Sequence, residues 1–174
     1  MRIFTFIIIS VFSHTYLYCQ SDSLEDIVKA GHYVKLGLKQ ASQGSHKNAI
    51  LTLSQALKIR PNDKIILYAR GNSYMQTYDY KNAINDFSKS IEIDPSFEDA
   101  YFNRALVYTN LKNHRKAIKD FSKVIELNPE DSESYYKRGV NFGFLGDTTL
   151  ACYDIEKAKS LGYIIPESIS AICK

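Results

Sequence analysis

Apolar residues recur at intervals of three and four along most of the chain, which is the pattern of helices with one buried face. One pair of such helices is marked by the positions Leu67, Gly71, Tyr74, Ala83, Ile84, Phe87 and Ile91. Polar turns, such as Thr77–Tyr80 and the Lys112-Asn113 pair, separate the two members of a pair. The pattern therefore predicts an all-α chain built from pairs of amphipathic helices.

Three prolines set a period for these pairs. Pro61, Pro95 and Pro129 lie 34 residues apart, and a similar sequence motif ends at each of them. Four further sets keep the same step: Ala49, Ala83, Ala117 and Ala151; Leu53, Phe87, Phe121 and Ile155; Gly37, Gly71, Ala105 and Gly139; and Gln40, Tyr74, Tyr108 and Phe142. Because proline disfavours a helical residue before it, each proline marks a helix end. The chain is thus predicted to be a tandem array of helix pairs that stack on one another.

This motif resembles that of the tetratricopeptide repeat (TPR) family, in which an aromatic residue, Leu-Gly, Tyr, Ala-x3-Phe and Pro follow one another in order. The resemblance covers four repeats, at 30–63, 64–97, 98–131 and 132–165. The first repeat departs from the motif at Gln40, and the fourth repeat has Tyr163 in place of proline. It implies a right-handed α-solenoid, each repeat consisting of a helix A and a helix B. Residues 166–174 are predicted to form a capping helix, with Ile169 and Ile172 packed over the end of the array.

The N-terminal residues 1–19 read as a secretory signal peptide. Arg2 precedes a mostly apolar run from Ile3 to Phe12, and the chain then turns polar. The run is shorter than the roughly 20 residues that span a bilayer. Cleavage after Cys19 would leave residues 20–29 as an extension leading into the first helix. Two alternatives remain open, namely lipidation of Cys19 and an uncleaved anchor.

Two further columns, meaning sets of residues at equivalent positions of successive repeats, carry opposite charges. Arginine occupies one position in three repeats, and aspartate occupies a second position in the same three repeats. The arginines are Arg70, Arg104 and Arg138, and the aspartates are Asp86, Asp120 and Asp154. The first repeat has Leu36 and Thr52 there, so it lacks both members together. We interpret the columns as partly buried ion pairs that link helix A to helix B, rather than as an arginine ladder for phosphate.

The resemblance implies that helix A lines a concave groove. In that register an aromatic residue recurs on the groove wall in three repeats, beside amide and apolar side chains. The predicted peptide-binding residues are Tyr68, Asn72, Met75, Phe102, Asn103, Leu106, Tyr136, Lys137 and Val140. The packing columns do not require Tyr68, Phe102 and Tyr136 in this register, so these rings are expected to be available for a ligand.

Some TPR proteins hold a peptide carboxylate through a clamp of Lys, Asn, Asn, Lys and Arg. Here Asn72 and Asn103 fit the two asparagine positions, but Tyr68 replaces the first lysine. Glu133 and Lys137 occupy the last pair. The resemblance therefore argues against binding of chaperone tails.

Composition narrows the class of partner. The formal net charge is +3, and the 22 basic and 19 acidic residues are interspersed, which argues against nucleic acid. No phosphate loop, nucleophile elbow or metal-ligand spacing is present, so we expect no enzyme activity, cofactor or metal. His46 and His114 fall at the turns between helix A and helix B, where solvated side chains are expected.

Cys152 and Cys173 are the two cysteines that remain after signal removal. In an oxidising compartment they would form a disulfide that fastens the cap to the last helix B. Two separate buried thiols are the alternative.

Taken together, the sequence predicts an exported, non-catalytic scaffold in the periplasm, outside the cell or at the envelope. Its groove would bind an extended peptide or a segment of a partner protein. The alternative is a structural subunit or lipid-tethered adaptor of a bacterial envelope or secretion assembly. In the structural subunit, the segment Gln20–Lys29 would occupy the groove of its own chain. Contact with a membrane is expected only if Cys19 is lipidated or the signal is retained.

Overall fold

Most of the helices begin at a side chain that caps their free amide groups. The carboxylate of Asp63 accepts hydrogen bonds from the backbone N–H groups of Ile65 and Ile66, at 2.9 and 3.2 Å. Asp79, Asn113 and Asp147 recur at the start of helix B and accept in the same way. These caps offset the loss of hydrogen bonding at a helix start.

The computed structural model describes residues 23–170 and Cys173. Every regular element in this part of the chain is a helix, and the elements are α1 (Leu24–Ser42), α2 (His46–Ile59), α3 (Lys64–Gln76), α4 (Tyr80–Ile93), α5 (Glu98–Asn110), α6 (His114–Leu127), α7 (Ser132–Phe144), α8 (Thr148–Ser160) and α9 (Glu167–Ser170). The predicted signal peptide, Cys19 and Ile172 lie outside the described residues. None of the described helices combines the length and apolar character needed to cross a bilayer.

Helices α1, α3, α5 and α7 are the helices A, and α2, α4, α6 and α8 are the helices B. Each packs against the helices before and after it in the chain, and α3 also contacts α1 and α5. Hydrogen bonds between Thr109 of α5 and Asn141 of α7 continue these contacts, so the helices A form one continuous layer of the solenoid. Each helix B that is followed by a proline ends two residues before it, as at Ile59 and Pro61.

The core lies between the two layers and is made of the repeated small and large positions. Phe87 and Phe121 are fully buried, and so are Ala83 and Ala117. A Cβ atom built on Gly71 would lie 2.8 Å from Cε1 of Phe87, closer than real Cβ contacts allow. Glycine at this position therefore lets helix A approach the ring on helix B.

The two ends of the solenoid differ. Helix α1 begins at Leu24, so most of the predicted extension is helical, and Leu24–Lys29 is not an extended segment that could lie in the groove. At the other end, α9 is a single short helix directly after Pro166. Cys152 of α8 and Cys173 form a disulfide, with their Cα atoms 5.2 Å apart. This bond holds the C-terminal segment against the last helix B.

Candidate functional site

The arginine and aspartate columns meet between the helices of each repeat. Arg104 donates from Nε and Nη2 to the two carboxylate oxygens of Asp120, at 2.7 and 2.8 Å. Arg70 with Asp86 and Arg138 with Asp154 repeat this geometry. The carboxylate side chains are between 1% and 5% exposed, so the pairs belong to the interior of the array.

Each arginine also reaches the preceding repeat. Nη1 of Arg70, Arg104 and Arg138 donates to the hydroxyl of Ser54, Ser88 and Ser122, respectively, at 2.9–3.0 Å. These serines are also 34 residues apart, so the sequence contains a signal for this contact, although the serines were not among the predicted site residues. Burial disfavours the Arg104 charge and is the largest single influence on it, but the hydrogen bond to Asp120 and the negative charge of that carboxylate together outweigh burial, so the pKa of Arg104 is raised. Because all three nitrogens of each guanidinium group donate to neighbouring side chains, these groups are parts of the scaffold.

The first aromatic residue of the predicted groove is held by neighbouring amides. Asn103 donates through Nδ2 to the hydroxyl of Tyr68 at 2.9 Å and to Oδ1 of Asn72 at 2.7 Å. The Tyr68 ring lies against Phe87 and Phe97, with centroid distances of 5.9 and 5.0 Å. Partial burial is the main reason why the pKa of Tyr68 is raised. This network joins α3 to α5, and its polar groups bond to one another.

The expectation that packing does not require the three groove aromatics is wrong. Besides the contacts of Tyr68, Phe102 makes an edge contact with Phe121 at 5.6 Å. Tyr136 stacks on Tyr163 at 4.6 Å, in the position where the other repeats have proline. All three side chains are half-buried. All three rings therefore help to join elements of the array.

An open cleft of about 420 Å³ lies further along the helix-A layer, between α3, α5 and α7. It extends onto the turn that follows α3 and onto the first residue of α4. Its lining residues are Met75, Gln76, Tyr78, Tyr80, Leu106, Thr109, Asn110, Tyr136, Lys137, Val140 and Asn141. This volume falls within the ~300–1,000 Å³ of ligand pockets.

The cleft brings together part of the predicted groove. Among the predicted residues, those that line it are Met75, Leu106, Tyr136, Lys137 and Val140. Tyr68, Asn72, Phe102 and Asn103 do not line it. Tyr78 and Tyr80 are not among the predicted groove residues, because the prediction covered helix A alone, whereas the turn and the start of helix B also reach the cleft.

One wall of the cleft is fixed by a buried amide. Asn141 is 1% exposed and donates to the Lys137 carbonyl at 2.8 Å and to the Thr109 hydroxyl at 3.0 Å. Its carbonyl oxygen lies 2.9 Å from Nδ1 of His114, whose ring stacks on Phe144 at 4.7 Å. The expectation of a solvated His114 is therefore wrong, since its ring packs between neighbouring repeats.

Lys137 is the one ionised side chain among the described residues that line the cleft. Its ammonium group lies 3.6 Å from a carboxylate oxygen of Glu133, one turn earlier in α7. Both side chains are partly exposed, so this contact is weak. The cleft thus combines an apolar floor, uncharged amides and one cation. Within the described residues, His, Cys, Asp and Glu do not form a group of three or more that would bind a metal ion.

Comparison with known proteins agrees with this architecture. A family profile described as tetratricopeptide repeat matches residues 98–131, and one described as TPR repeat matches residues 37–77 and 71–112. Together these matches extend over more than half of the chain. None of the curated protein sequences compared with the chain matches it significantly.

Solved structures share the fold at low sequence identity. A MamA protein superposes with a TM-score of 0.75 at 22% identity, over 82% of each chain. MamA from Desulfovibrio magneticus RS-1 gives 0.74 at 23% identity, over 77% of this chain and 76% of that one. The first TPR of Spaghetti (RPAP3), bound to the HSP90 peptide SRMEEVD, gives 0.66 at 23% identity, over 68% of this chain and 94% of that one.

Proposed function

The chain belongs to the tetratricopeptide repeat family, and on that premise we propose that it is a protein-interaction scaffold whose cleft binds an extended peptide segment. The observation that carries the proposal is the cleft itself, which gathers side chains from three consecutive helices A. Its apolar floor of Met75, Leu106 and Val140 would receive side chains of the peptide. Gln76 and Asn110, both exposed, would hydrogen-bond its backbone.

Other features support this role. The first TPR of Spaghetti, solved with a short peptide, shows that a related fold accommodates such a ligand. Tyr68 and Glu133 replace two basic residues of the clamp found in chaperone-tail binders, and the retained Asn72 and Asn103 bond to each other, so we propose a different class of peptide. The proposal requires no catalytic step, and binding is the role most typical of the family.

The test uses peptides selected by display against the purified protein. Asn110→Trp places a bulky ring in the mouth of the cleft, and we expect it to weaken binding of the selected peptides at least tenfold. Asn85→Trp is the matched control because Asn85 is an exposed residue of α4 that does not line the cleft. Equal affinities of both variants and the wild type would refute the proposed site.

We further propose that the protein acts outside the reducing cytosol. The disulfide between Cys152 and Cys173 supports this, since such bonds persist mainly in oxidising compartments. Together with the predicted signal, it favours export to the periplasm, the envelope or the medium. The mass of the protein recovered from these fractions should correspond to a chain starting at Gln20. A lipid-modified Cys19 would instead establish the tethered form, and an intact N-terminus in a cytosolic fraction would refute export.

A structural subunit of an envelope assembly is the second candidate, and α1 carries the observation that favours it. Leu24, Ile27 and Val28 share one face of this helix and are 78%, 52% and 64% exposed. An apolar face of this kind at the end of a solenoid suits a permanent contact. Leu24→Glu combined with Val28→Glu should then dissociate an assembly seen by light scattering. A wild-type protein that is monomeric alone and in envelope extracts would exclude this candidate.

A further inference from the structure

The turn between helix A and helix B has a left-handed residue at the same position of every repeat. The four residues are Gly44, Tyr78, Lys112 and Gly146, with φ values of 76°, 61°, 56° and 82°. Glycine adopts this conformation without strain, whereas a bulky side chain there is an outlier. Repeat 2 thus keeps a tyrosine at a position where glycine would be more stable.

Tyr78 also lies where a ligand in the cleft would contact it. Its side chain is 78% exposed and lines the mouth of the cleft. It meets Tyr80 edge to face, with centroids 6.1 Å apart and ring planes at 83°. The two rings form an angular notch beside the cleft, and Tyr136 lines the cleft as well. A strained, exposed aromatic residue at such a place suggests a role in binding.

Resting on the proposed function, we infer that the cleft binds an acidic, proline-containing segment of a partner protein, and that Tyr78 determines this specificity. Aromatic notches receive the rings of prolines in the polyproline II conformation. A segment in that conformation has no internal hydrogen bonds, so its carbonyl groups need donors from the protein. The side-chain amides of Gln76 and Asn110 supply such donors at the edge of the cleft.

The charge of the cleft selects among proline-containing segments. Lys137 lines the cleft and no carboxylate does so among the described residues. Its neighbour Glu133 is 3.6 Å away and partly exposed, so the ammonium group remains open to a second carboxylate. The faces of tyrosine rings attract cations. A cationic ligand in the cleft would, however, also be repelled by the ammonium group of Lys137. Acidic residues between the prolines therefore fit the cleft better than basic ones.

Three fluorescein-labelled peptides test the inference by anisotropy titration: three Glu-Pro-Pro repeats, three Glu-Ala-Ala repeats and three Lys-Pro-Pro repeats. We expect the first to bind at least tenfold more tightly than either of the others. Equal or tighter binding of the alanine peptide would overturn the role of proline. Equal or tighter binding of the lysine peptide, or no binding of the first peptide, would overturn the inference as well.

Tyr78→Gly separates binding from stability, because it removes the ring and relieves the left-handed strain together. We expect it to weaken binding of the Glu-Pro-Pro peptide about tenfold while raising the melting temperature by about 2 °C. Lys112→Gly makes the matching change in repeat 3, away from the cleft. It should raise the melting temperature similarly and leave the affinity unchanged. Unchanged affinity of Tyr78→Gly would refute its role.

The Asn110→Trp variant distinguishes the two proposals. If display-selected peptides lose binding in Asn110→Trp but the Glu-Pro-Pro peptide binds no better than its alanine counterpart, the cleft is a peptide site of another specificity. The further inference then fails and the proposed function stands. If Asn110→Trp has no effect on the selected peptides, the proposed function fails and the inference fails with it.

Discussion

A single carboxylate holds each interior arginine of the array. Asp120 is 4% exposed and receives two hydrogen bonds from Arg104, which also donates to Ser88. Removing one partner of a buried pair leaves the other charge without compensation, and this costs more than the pair itself contributes. The effect of a substitution here therefore measures the penalty of an unpaired charge.

Asp120→Ala should lower the free energy of unfolding by about 3 kcal/mol, because it leaves the Arg104 guanidinium largely buried without its carboxylate. Urea denaturation of the purified protein measures this loss. Glu126→Ala is the control, since it breaks the exposed contact of Lys123 with Glu126 and should cause no measurable change. Equal effects of the two substitutions would contradict the structural role of the pair.

Asp94 is a residue whose contribution depends on pH. It accepts hydrogen bonds from the Lys64 ammonium group and from the backbone and hydroxyl of Ser96. These bonds, led by that of Lys64, lower the pKa of Asp94 to about 2. The unfolded chain has a pKa of about 4 for this group. The folded state therefore gains stability from Asp94 above pH ~4 and loses it as the pH falls towards 2.

Asp94→Asn should accordingly be less stable than the wild type at pH 7, with a difference that shrinks as the pH is lowered from 4 towards 2. The reason is that the wild-type carboxylate becomes protonated in this range and then resembles the amide. Urea midpoints of both proteins at pH 7, 4 and 3 provide the measurement. A difference that stays constant across these values would contradict the assigned pKa.

At the scale of the element, the distance between helix A and helix B is set by the column that contains Gly71. Helix propensity favours alanine over glycine by about 1 kcal/mol, but a Cβ atom on Gly71 would lie 2.8 Å from the buried ring of Phe87. The close approach of α3 and α4 outweighs propensity at this point.

Gly71→Ala should therefore destabilise the protein by about 1–3 kcal/mol, as overpacking of a filled core does. Gly31→Ala is the matched control because Gly31 is exposed on α1 and a Cβ atom there meets no atom within 4 Å. It should stabilise the protein by about 0.5–1 kcal/mol. Thermal unfolding of both variants gives the comparison, and a gain of stability in both would show that the helices can move apart freely.

The C-terminal segment depends on the covalent bond between Cys152 and Cys173, which lie 21 residues apart. The disulfide joins this segment covalently to α8. Reduction, or Cys173→Ser, should lower the free energy of unfolding by about 3 kcal/mol in the chain-entropy description. Denaturation with and without reductant measures the change. An unchanged midpoint in reductant, with thiol reduction verified by mass, would contradict this role.

The elements themselves were largely predictable from the sequence. Prolines and the Ala and Phe columns mark the ends and buried faces of α3–α7, because these positions record contacts that recur in every repeat. The contacts that occur once were not predictable. The Tyr136–Tyr163 stack and the packing of His114 on Phe144 depend on distances between helices, and a repeat pattern does not contain those distances.

For the whole molecule, stability should be highest in the middle of the array. Each interior repeat has a neighbour on both sides, and α1 has exposed apolar residues at one end. In a solenoid the stability is approximately a sum over units and their interfaces. The candidate cleft lies between repeats 2, 3 and 4, so the walls that α3 and α5 provide come from the better-supported part of the chain, whereas the α7 wall belongs to the last repeat.

Amide hydrogen exchange followed by mass spectrometry should show the slowest exchange in α4, α5 and α6 and faster exchange in α1. The reason is that an interior helix packs extensively against the helices on both sides of it, whereas α1 packs mainly against α2. Peptides from α2 and α7 provide the intermediate reference. Exchange at one uniform rate from α1 to α8 would contradict this view and indicate a single cooperative unit.

The link from each arginine back to the preceding serine gives the array a modular construction. The hydroxyl of Ser54 accepts a hydrogen bond from Arg70, and the hydroxyl of Ser88 accepts one from Arg104. An in-frame duplication of residues 64–97 would recreate every such link, because the copied Ser88 would meet the next arginine and the copied Arg70 would meet Ser88. The chain can thus be lengthened from its interior in steps of one repeat. Such insertions offer a route by which evolution or an engineer extends the helix-A surface without redesigning the interfaces.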